Sequence, residues 1–454
     1  MLNVINPATE EIYEVLEETS ASDLDTCYER SKKAQKKWSS SSFSERKEIL
    51  NRFNQALLQE KENCAKILSQ EMGKPYLQAI GELENTAQRV QWFLDHCENE
   101  LETKTTFSGK GVTEKISWDP LGVVLNISAW NFPYFIGTNV IIPALLTGNS
   151  VLYKPSEICP LTGLRIRSLL LKSGLDEDLF QVLVGRGDLG RKLLELPVDG
   201  VFFTGSHRTG QKIAQQTGGR FIKTVLELGG KDPAYVMADA KVETVAQNLV
   251  DGAFYNAGQS CCSVERIYIH ESLYESFVES FVEQTKKLVI GDPFHEKTYM
   301  GPLARFEQIN FLNRQGDEAK KKGAQEIFVG GSKEDKGYFY NPRVFTNVNH
   351  GMLLMKEESF GPTIGLMKVK NNEEALELMN DTDYGLTASL HGNNFEQGQK
   401  LMSQLQTGTV YFNLCDRVSP FVPWSGRKSS GMGATLSTLG VKEFLRPKAW
   451  QIKV

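Results

Sequence analysis

The stretch "VDGVFFTGSHRTGQKIAQQTG", residues 198–218, carries the pattern that decides the fold. A short apolar run leads into a turn that contains Gly205, and a segment with helical spacing of apolar residues follows. A buried strand that passes through a glycine-containing turn into a helix is typical of α/β proteins. Three further strand-like runs precede it: "LGVVLNISAW" (121–130), "SVLYKPSE" (150–157) and "LFQVLVG" (179–185). Strands that alternate with helices predict a doubly wound α/β unit.

Two other regions flank this unit. Residues 22–104 are predicted to be helical and surface-rich, with Ser42 and Glu45 placed as a capping box. After residue 227 a second α/β pattern begins, with strand candidates "AYVM" (234–237), "RIYIH" (266–270), "EIFVGG" (326–331) and "PTIGLMKV" (362–369). The tail ends in an alternating, strand-like segment, "KAWQIKV" (448–454), which would be an exposed edge unless another strand pairs with it.

Composition narrows the class of protein. A chain of 454 residues is longer than one compact core usually holds, so we expect two or three structural units. The net charge of −5 gives no reason to expect nucleic acid or an anionic membrane as a partner. The N-terminal residues lack the basic and apolar segments of an export signal. Seven cysteines without metal-ligand spacing favour free thiols in a reducing cytoplasm and predict no metal site.

Seven short motifs occur in order along the chain. They are "AWNFP" (129–133), "KPSE" (154–157), "FTGSHRTG" (203–210), "ELGGKDP" (227–233), "NAGQSC" (256–261), "ESFGP" (358–362) and "PWSGRKSSGMG" (423–433). Together they resemble the NAD(P)-dependent aldehyde dehydrogenase superfamily, from about Asn6 to the last strand. The length is similar to that of succinate-semialdehyde dehydrogenases.

The resemblance implies a fold of two doubly wound α/β domains and a β bridging element. Residues 1–103 and 121–229 would form the dinucleotide-binding domain. Residues 230–428 would form the catalytic domain that carries the nucleophilic cysteine. Residues 104–120 and 429–454 would form the bridging element, through which such chains assemble. A homodimer or a homotetramer is therefore expected.

Two adjacent cysteines, Cys261 and Cys262, are the first candidates for chemistry. A thiolate attacks an aldehyde carbonyl to form a thiohemiacetal, whose carbon can release a hydride. In the family pattern the nucleophile is the second residue after the Gly-Gln step, which here is Cys261. Cys262 would point away in an extended segment and is expected to pack, or to act as a reversible redox partner. The alternative is that both are small buried hydrophobic residues.

Asn131 and Glu227 complete the implied catalytic set. The resemblance assigns the side-chain amide of Asn131 to the oxyanion that forms on attack, where fixed donors are effective. The alternative is that Asn131 only caps a helix beginning at Pro133. Glu227 follows an apolar strand, so burial should raise its pKa toward that of a useful general base, and the family uses it to hydrolyse the thioester. The alternative is a surface carboxylate.

The remaining site residues implied by the resemblance bind the cofactor. The turn at Gly205 and Ser206 opens a helix whose N–H groups can receive a phosphate. The assignments are Gly205, Ser206 and Gly210 to the pyrophosphate, Lys154 and Glu157 to the adenine ribose, Trp130 to the cleft, and Glu358 and Phe360 to the nicotinamide end. A carboxylate at Glu157 suits free ribose hydroxyls and repels a 2′-phosphate, so NAD is preferred over NADP, which stays possible.

The substrate is less well defined. Relatives that oxidise succinate semialdehyde typically carry arginines at the positions of Asn139 and Tyr255. Their absence, together with Tyr134, Phe135 and Tyr255, favours an aromatic-lined pocket for an uncharged aliphatic or aromatic aldehyde. Arg417 could instead restore binding of a semialdehyde carboxylate from the other side.

The sequence therefore predicts an oxidoreductase that converts an aldehyde to its carboxylic acid with NAD(P). One alternative is a coenzyme A-acylating aldehyde dehydrogenase, which Glu227 argues against because such relatives commonly lack this residue. The other is a binding or structural protein that retains the fold. Cys261, Asn131 and Glu227 together argue against it, since packing does not require all three.

Overall fold

The structure, a computed structural model, describes residues 1–331 and 336–453, so Val454 at the end of the predicted bridging element lies outside it. The elements, in chain order, are β1 (Leu2–Ile5), β2 (Ile12–Leu16), α1 (Leu24–Ser39), α2 (Phe43–Gln59), α3 (Lys61–Met72), α4 (Tyr76–Leu101), β3 (Lys104–Gly109), β4 (Val112–Pro120), β5 (Val123–Ile127), α5 (Pro133–Leu146), β6 (Ser150–Lys154), α6 (Pro160–Lys172), β7 (Phe180–Val182), α7 (Gly187–Leu193), β8 (Gly200–Gly205), α8 (His207–Gly218), β9 (Lys223–Leu228), β10 (Asp232–Val236), α9 (Val242–Phe254), β11 (Val264–His270), α10 (Tyr274–Thr285), α11 (Phe306–Lys321), β12 (Gln325–Val329), β13 (Arg343–Thr346), α12 (Leu353–Lys356), β14 (Thr363–Val369), α13 (Asn372–Asn380), β15 (Thr387–His391), α14 (Phe395–Met402), β16 (Thr409–Phe412), β17 (Gly431–Met432), α15 (Ser437–Lys442) and β18 (Leu445–Lys453).

The first large sheet has the order β17-β9-β8-β5-β6-β7 and confirms the predicted doubly wound unit. Its strands are parallel except β17, and most apolar residues of the parallel strands are buried. Along the chain, β5, β6 and β7 lie side by side in sequence order, and β8 and β9 then follow on the other side of β5. Where strand order reverses in this way, a crevice opens at the carboxyl ends of the strands, here between β5 and β8.

The second sheet has the order β12-β13-β14-β11-β10-β15-β16. All neighbouring pairs are parallel except β12 and β13, which pair antiparallel at one edge. The strand candidates of the second α/β pattern all lie in this sheet, so the prediction of a second parallel unit is confirmed. The loops at the amino ends of β11 and β14 carry the motifs "NAGQSC" and "ESFGP".

The third sheet is antiparallel and has the order β18-β4-β3. Strand β18 pairs with β4 from Leu445 opposite Pro120 to Lys453 opposite Val112. The predicted bridging element began at residue 429, but Gly431–Met432 pairs with β9 in the first sheet instead. Gly431, with φ 147°, approaches the backbone of β9 so closely that a side chain would meet the Leu226 carbonyl. The division into three domains stays a prediction, with this adjustment.

The helices α1–α4 span residues 24–101, as predicted. The capping box is present on α2, where the Ser42 hydroxyl accepts from the Glu45 N–H at 3.2 Å and the Ser42 N–H donates to the Glu45 carboxylate at 2.7 Å. The prediction that this segment is rich in surface residues is wrong for one face of these helices. That side is buried and includes four charged residues, Glu71, Lys74, Glu82 and Arg89.

The helices of residues 1–331 and 336–453 include none with the length and apolar content needed to cross a bilayer. The same residues hold no cluster of three or more His, Cys, Asp or Glu side chains arranged as metal ligands. All seven cysteines are free thiols.

Candidate active site

A cavity of about 380 Å³ lies at the crevice of the first sheet and extends to the loops before β11 and β14. Strands β5, β6, β8 and β9 reach it with their carboxyl ends. It brings together ten of the predicted site residues: Trp130, Asn131, Lys154, Glu157, Gly205, Ser206, Glu227, Cys261, Glu358 and Phe360. Residues from six separate segments therefore share one cavity.

Cys261 lines this cavity and is half-buried. Three consecutive residues before it have a left-handed backbone conformation, with φ of 51° at Asn256, 56° at Ala257 and 69° at Gly258. A Cβ on Gly258 would lie 2.6 Å from the Gly361 carbonyl oxygen, so only glycine fits there. Left-handed backbone at Asn and Ala costs free energy and persists only where the surroundings enforce it. The loop therefore holds Cys261 in one defined place.

Cys262 has a different environment from its neighbour. It is buried, and its thiol donates to the Asp416 carboxylate at 3.0 Å. The hydrogen bond with Cys261 and burial both raise the pKa of the Cys262 thiol well above its usual range. A protonated, buried thiol is a poor nucleophile. This arrangement favours Cys261 as the reactive residue and agrees with a packing role for Cys262.

Two side chains hold Asn131 in place through its backbone carbonyl group. Its carbonyl oxygen accepts from the Lys74 ammonium at 2.7 Å and from the Asn256 side chain at 3.2 Å. Lys74 is also paired with Glu82, whose other oxygen accepts from the N–H of Tyr134 at 2.9 Å. The helix α5 has Phe132 as its N-cap and no side-chain cap, so the alternative of Asn131 as a helix cap is wrong. Its amide faces the cavity from a fixed backbone.

Glu227 lies at the end of β9 and is buried, so the alternative of a surface carboxylate is wrong. Its two oxygens accept hydrogen bonds from the Thr435 hydroxyl and, at 3.3 Å, from the Thr204 hydroxyl. Burial raises the pKa of Glu227 to about 7, and these hydrogen bonds only partly offset it. The carboxyl group therefore exchanges protons near neutral pH. Thr435 was not predicted, since it lies more than two hundred residues further along the chain.

The other end of the cavity fits a dinucleotide. Ser206 is the N-cap of α8, but its side chain accepts no hydrogen bond from the first N–H groups of the helix. Because Ser206 lines the cavity, these N–H groups lie next to it and are available to donate to a phosphate. Lys154, which is predicted to bind the ribose together with Glu157, lies 3.7 Å from the Glu157 carboxylate. Gly210 does not line the cavity. A Cβ there would collide with Leu228, so its role is the close packing of α8 on the sheet.

The nicotinamide end of the cavity is aromatic and acidic. The rings of Trp130 and Phe360 meet edge to face with centroids 5.5 Å apart. Glu358 accepts from the Gly230 N–H at 3.2 Å, and burial raises its pKa to about 8. Lys212 and Arg191 also line the cavity and were not predicted. The donor set as a whole suits a phosphate-containing cofactor with free ribose hydroxyls.

The five residues predicted for the substrate pocket differ in exposure, and none of them is among the lining residues of the cavity described above. Tyr134 is fully buried in the core, and Asn139 is buried and accepts a hydrogen bond from Arg89 at 3.0 Å. Phe135 and Tyr255 are half-buried, and Arg417 is exposed. Their role in substrate binding stays a prediction.

The motifs in the sequence do not identify the charged residues that α3 and α4 bury near the cavity. Glu82 and Arg89 are separated by seven residues, so they lie on the same, buried face of α4. Both occupy positions where the helical pattern calls for apolar residues, a signal that could have identified them. A charge at such a position is costly unless a partner compensates it.

Nearly the whole chain is similar to known proteins. Residues 1–450 match the model of the aldehyde dehydrogenase family. Retinaldehyde dehydrogenase 3 of Homo sapiens is 32% identical over 99% of this chain and 89% of its own. A succinate-semialdehyde dehydrogenase [NADP(+)] of Deinococcus radiodurans is 31% identical over 98% and 93% of the two chains. The structure of betaine aldehyde dehydrogenase from Staphylococcus aureus in complex with NAD+ matches with a TM-score of 0.96 and 28% identity, over 99% and 91% of the chains.

These matches cover nearly the whole chain, and the cavity holds the residues expected of this chemistry. Relatives are named for both NAD and NADP. The chain belongs to the aldehyde dehydrogenase family and is an enzyme that oxidises aldehydes with NAD or NADP.

Proposed function

We propose that this enzyme oxidises an aldehyde to the carboxylic acid through a covalent intermediate on Cys261, which water then hydrolyses with help from Glu227. The observation that carries the proposal is that Cys261, Asn131 and Glu227 line the same cavity as the cofactor-binding residues. A nucleophile, an oxyanion donor and a base in one enclosed site are the groups that acyl chemistry needs.

The first half of the reaction forms a bond between the Cys261 sulfur and the aldehyde carbon. The carbonyl oxygen takes the electron pair, and the Asn131 amide donates a hydrogen bond to it. NAD or NADP, when bound by the residues that line the cavity, would supply the hydride acceptor for this carbon. The acyl group is then attached to Cys261 as a thioester.

The second half releases the acid. Glu227 removes a proton from water as the water oxygen attacks the thioester carbon, and the carbon–sulfur bond breaks to return the Cys261 thiolate. A pKa of about 7 keeps a large share of Glu227 ionised at neutral pH while leaving it basic enough to act. This base favours water over coenzyme A as the acyl acceptor.

We also propose that NAD is preferred, because the Glu157 carboxylate lines the ribose end of the cavity and would repel a 2′-phosphate. Assembly as a homodimer or homotetramer is proposed from the third sheet. Its last strand, β18, is mostly exposed and has one neighbour, β4, within the described chain.

The experiment that tests the reaction measures products. Purified enzyme is incubated with NAD and a set of aliphatic, aromatic and carboxylated aldehydes, with and without coenzyme A. The expected result is one carboxylic acid per NADH and no acyl-coenzyme A. The C261S variant should form no NADH above background, whereas C262S should still turn over. Acyl-coenzyme A as the main product, or activity that survives in C261S and is lost in C262S, would contradict the proposal.

A further inference from the structure

Arg89 is a buried guanidinium beside the catalytic centre. It lies on α4 with 5% of its surface exposed. One of its N–H groups donates to the Asn139 side-chain oxygen at 3.0 Å, and another donates to the Val418 carbonyl at 3.1 Å. Its planar head lies over the Phe135 ring, 4.2 Å from the centroid. Two separate segments, α5 and the loop that contains Val418, thus hold this side chain in one position.

The charge of Arg89 has no carboxylate to neutralise it by direct contact. Its two hydrogen-bond partners in the described chain are neutral oxygens, although a guanidinium offers five N–H groups. By contrast, the buried Lys74 and Lys231 are each paired directly with a glutamate. Burial lowers the pKa of Arg89 only to about 10, so the group is charged at neutral pH. A buried charge without a counter-ion is costly.

Other buried arginines show what a purely structural role looks like in this protein. Arg266 spreads its N–H groups over the carbonyl oxygens of Lys231, Leu378 and Met379 and the hydroxyl of Tyr268. Arg46 donates to two backbone carbonyls at the end of a helix. Arg89 differs in its location, because the acidic charge that acts on it most strongly is that of Glu227, followed by that of Glu82.

The rings of Phe132, Phe135 and Tyr255 form an aromatic wall that extends from Asn131 toward Arg89. Phe132 follows Asn131 directly, and its ring lies 6.1 Å from that of Phe135, on which Arg89 is stacked. The ring of Tyr255 is parallel to Phe132 at 6.4 Å. All three rings are half-buried, so part of each is open to a ligand. An aldehyde carbon chain can lie along this wall with its far end at the guanidinium.

A second donor lies one turn further along the same face of α4. Trp92 is 6% exposed, and its indole N–H has no hydrogen-bond partner among the described residues. Its ring contacts Phe421, at a centroid distance of 6.1 Å, in the same loop that supplies the Val418 carbonyl. A buried N–H without an acceptor is unfavourable, and an anionic ligand in this region would supply one.

We propose that Arg89 binds a carboxylate at the far end of the substrate, so that the enzyme prefers aldehydes that carry a terminal carboxylate. The proposal rests on the proposed oxidation at Cys261 and names its substrate class. The sequence favoured an uncharged aldehyde because arginines are missing at positions 139 and 255, and it named Arg417 as the alternative anion site. Arg417 is exposed, whereas Arg89 is fixed at the end of the aromatic wall.

The test compares substrates that differ only in the carboxylate. Values of kcat/KM are measured for succinate semialdehyde against butanal, and for glutarate semialdehyde against pentanal. A charge-assisted contact predicts a preference of about 10- to 100-fold for at least one carboxylated member. In R89M this ratio should fall to about one, and R89K, which keeps the charge without the planar fork, should lie between. R417M should retain the preference.

A binding measurement without turnover separates recognition from rate. Succinate and glutarate, which carry the carboxylate but no aldehyde, should raise the Tm of the wild-type enzyme and not that of R89M. The proposal is overturned if neither carboxylated aldehyde has a higher kcat/KM than its neutral counterpart, or if R417M rather than R89M loses the preference. Oxidation of the neutral aldehydes that depends on Cys261 would show that the proposed function stands even then. Absence of oxidation for every aldehyde would instead reject the proposed function.

Discussion

The strand ends of the first sheet and the helices α3 and α4 serve the same cavity in different ways. The strand ends place Asn131 and Glu227 in the cavity, each within a few residues of the strand that positions it. The helical region supplies Lys74, Glu82 and Arg89, which act across long distances in sequence. In our proposals the first region carries the bond-making chemistry, whereas the second supports it and selects the substrate.

The difference has a physical basis. Parallel strands end together at one edge of a sheet, so short motifs at those ends converge wherever the fold forms. Charges buried by a helix are stable only with partners that other segments provide. Substitutions at the strand ends should therefore change rates in a folded enzyme, while those in the helical region should also change stability.

The largest expected effect is that of E227Q. Without a base, hydrolysis of the thioester should slow by about 10²- to 10⁴-fold, because this is what a positioned general base contributes. The wild-type rate should rise with pH through about 7 and then level off, since the protonated carboxyl present at lower pH cannot accept a proton. Steady-state kinetics across pH measure both effects, and E227Q should lose the rise.

Pre-steady-state kinetics provide the control for E227Q. The first turnover needs no hydrolysis, so a burst of NADH equal to the enzyme concentration should survive. Loss of the burst together with the steady rate would place Glu227 in the first half of the reaction and contradict its assignment.

The next effect concerns stability in the helical region. K74M leaves the buried Glu82 carboxylate without its cation and should destabilise the protein by about 3–5 kcal/mol. The urea midpoint of unfolding measures this loss. The double variant K74M/E82Q removes both charges and should recover part of it. If K74M unfolds at the wild-type midpoint, the helical region is not a stabilising support of the site.

N131A tests the strand-end region directly. Removing an oxyanion donor should lower kcat by about 10²- to 10³-fold while the fold and NAD binding remain. Kinetics with saturating aldehyde give the rate, and NAD affinity comes from protein fluorescence quenching. The rate of Cys261 alkylation by iodoacetamide serves as a control, because it requires no oxyanion. Unchanged turnover would remove Asn131 from the mechanism.

The smallest expected effect is that of E157Q. The Glu157 side chain is 48% exposed, so its repulsion of a 2′-phosphate is screened by water and salt. The ratio of kcat/KM for NADP to that for NAD should rise by about tenfold or less, and more at low ionic strength. Lys154 and Lys212 remain to receive the phosphate. A ratio that does not change would assign cofactor preference to residues other than Glu157.

Much of the site could be predicted because its motifs are local. The turn after β8, the Asn131 segment after β5 and the Cys261 loop each combine a recognisable strand with a specific polar residue. The alternatives for Asn131 and Glu227 were resolved by burial and capping, which a sequence does not contain. Gly210 was assigned to the cofactor because it belongs to a motif, although its role in the structure is packing against Leu228.

The substrate side could not be predicted in the same way. Tyr134, Asn139 and Arg417 are suitable residue types, but packing of α5 buries the first two and the loop after β16 leaves Arg417 exposed, and neither outcome is visible within those segments. Arg89 appeared to belong to a surface helix, since nothing within its own segment indicates the partners that bury it. Strand β17 was likewise assigned to the wrong sheet, because its pairing with β9 joins residues two hundred positions apart.

The sequence by itself determined the two α/β units and the family, with the aldehyde oxidation that the family performs, because periodicity and motif chemistry are properties of short segments. The tertiary structure alone decided which partners the buried charges of the helical region have and how the pKa of Glu227 is raised. Charge pairing depends on segments that meet only after folding, so a local pattern can mark a charge at a core position but cannot name its partners.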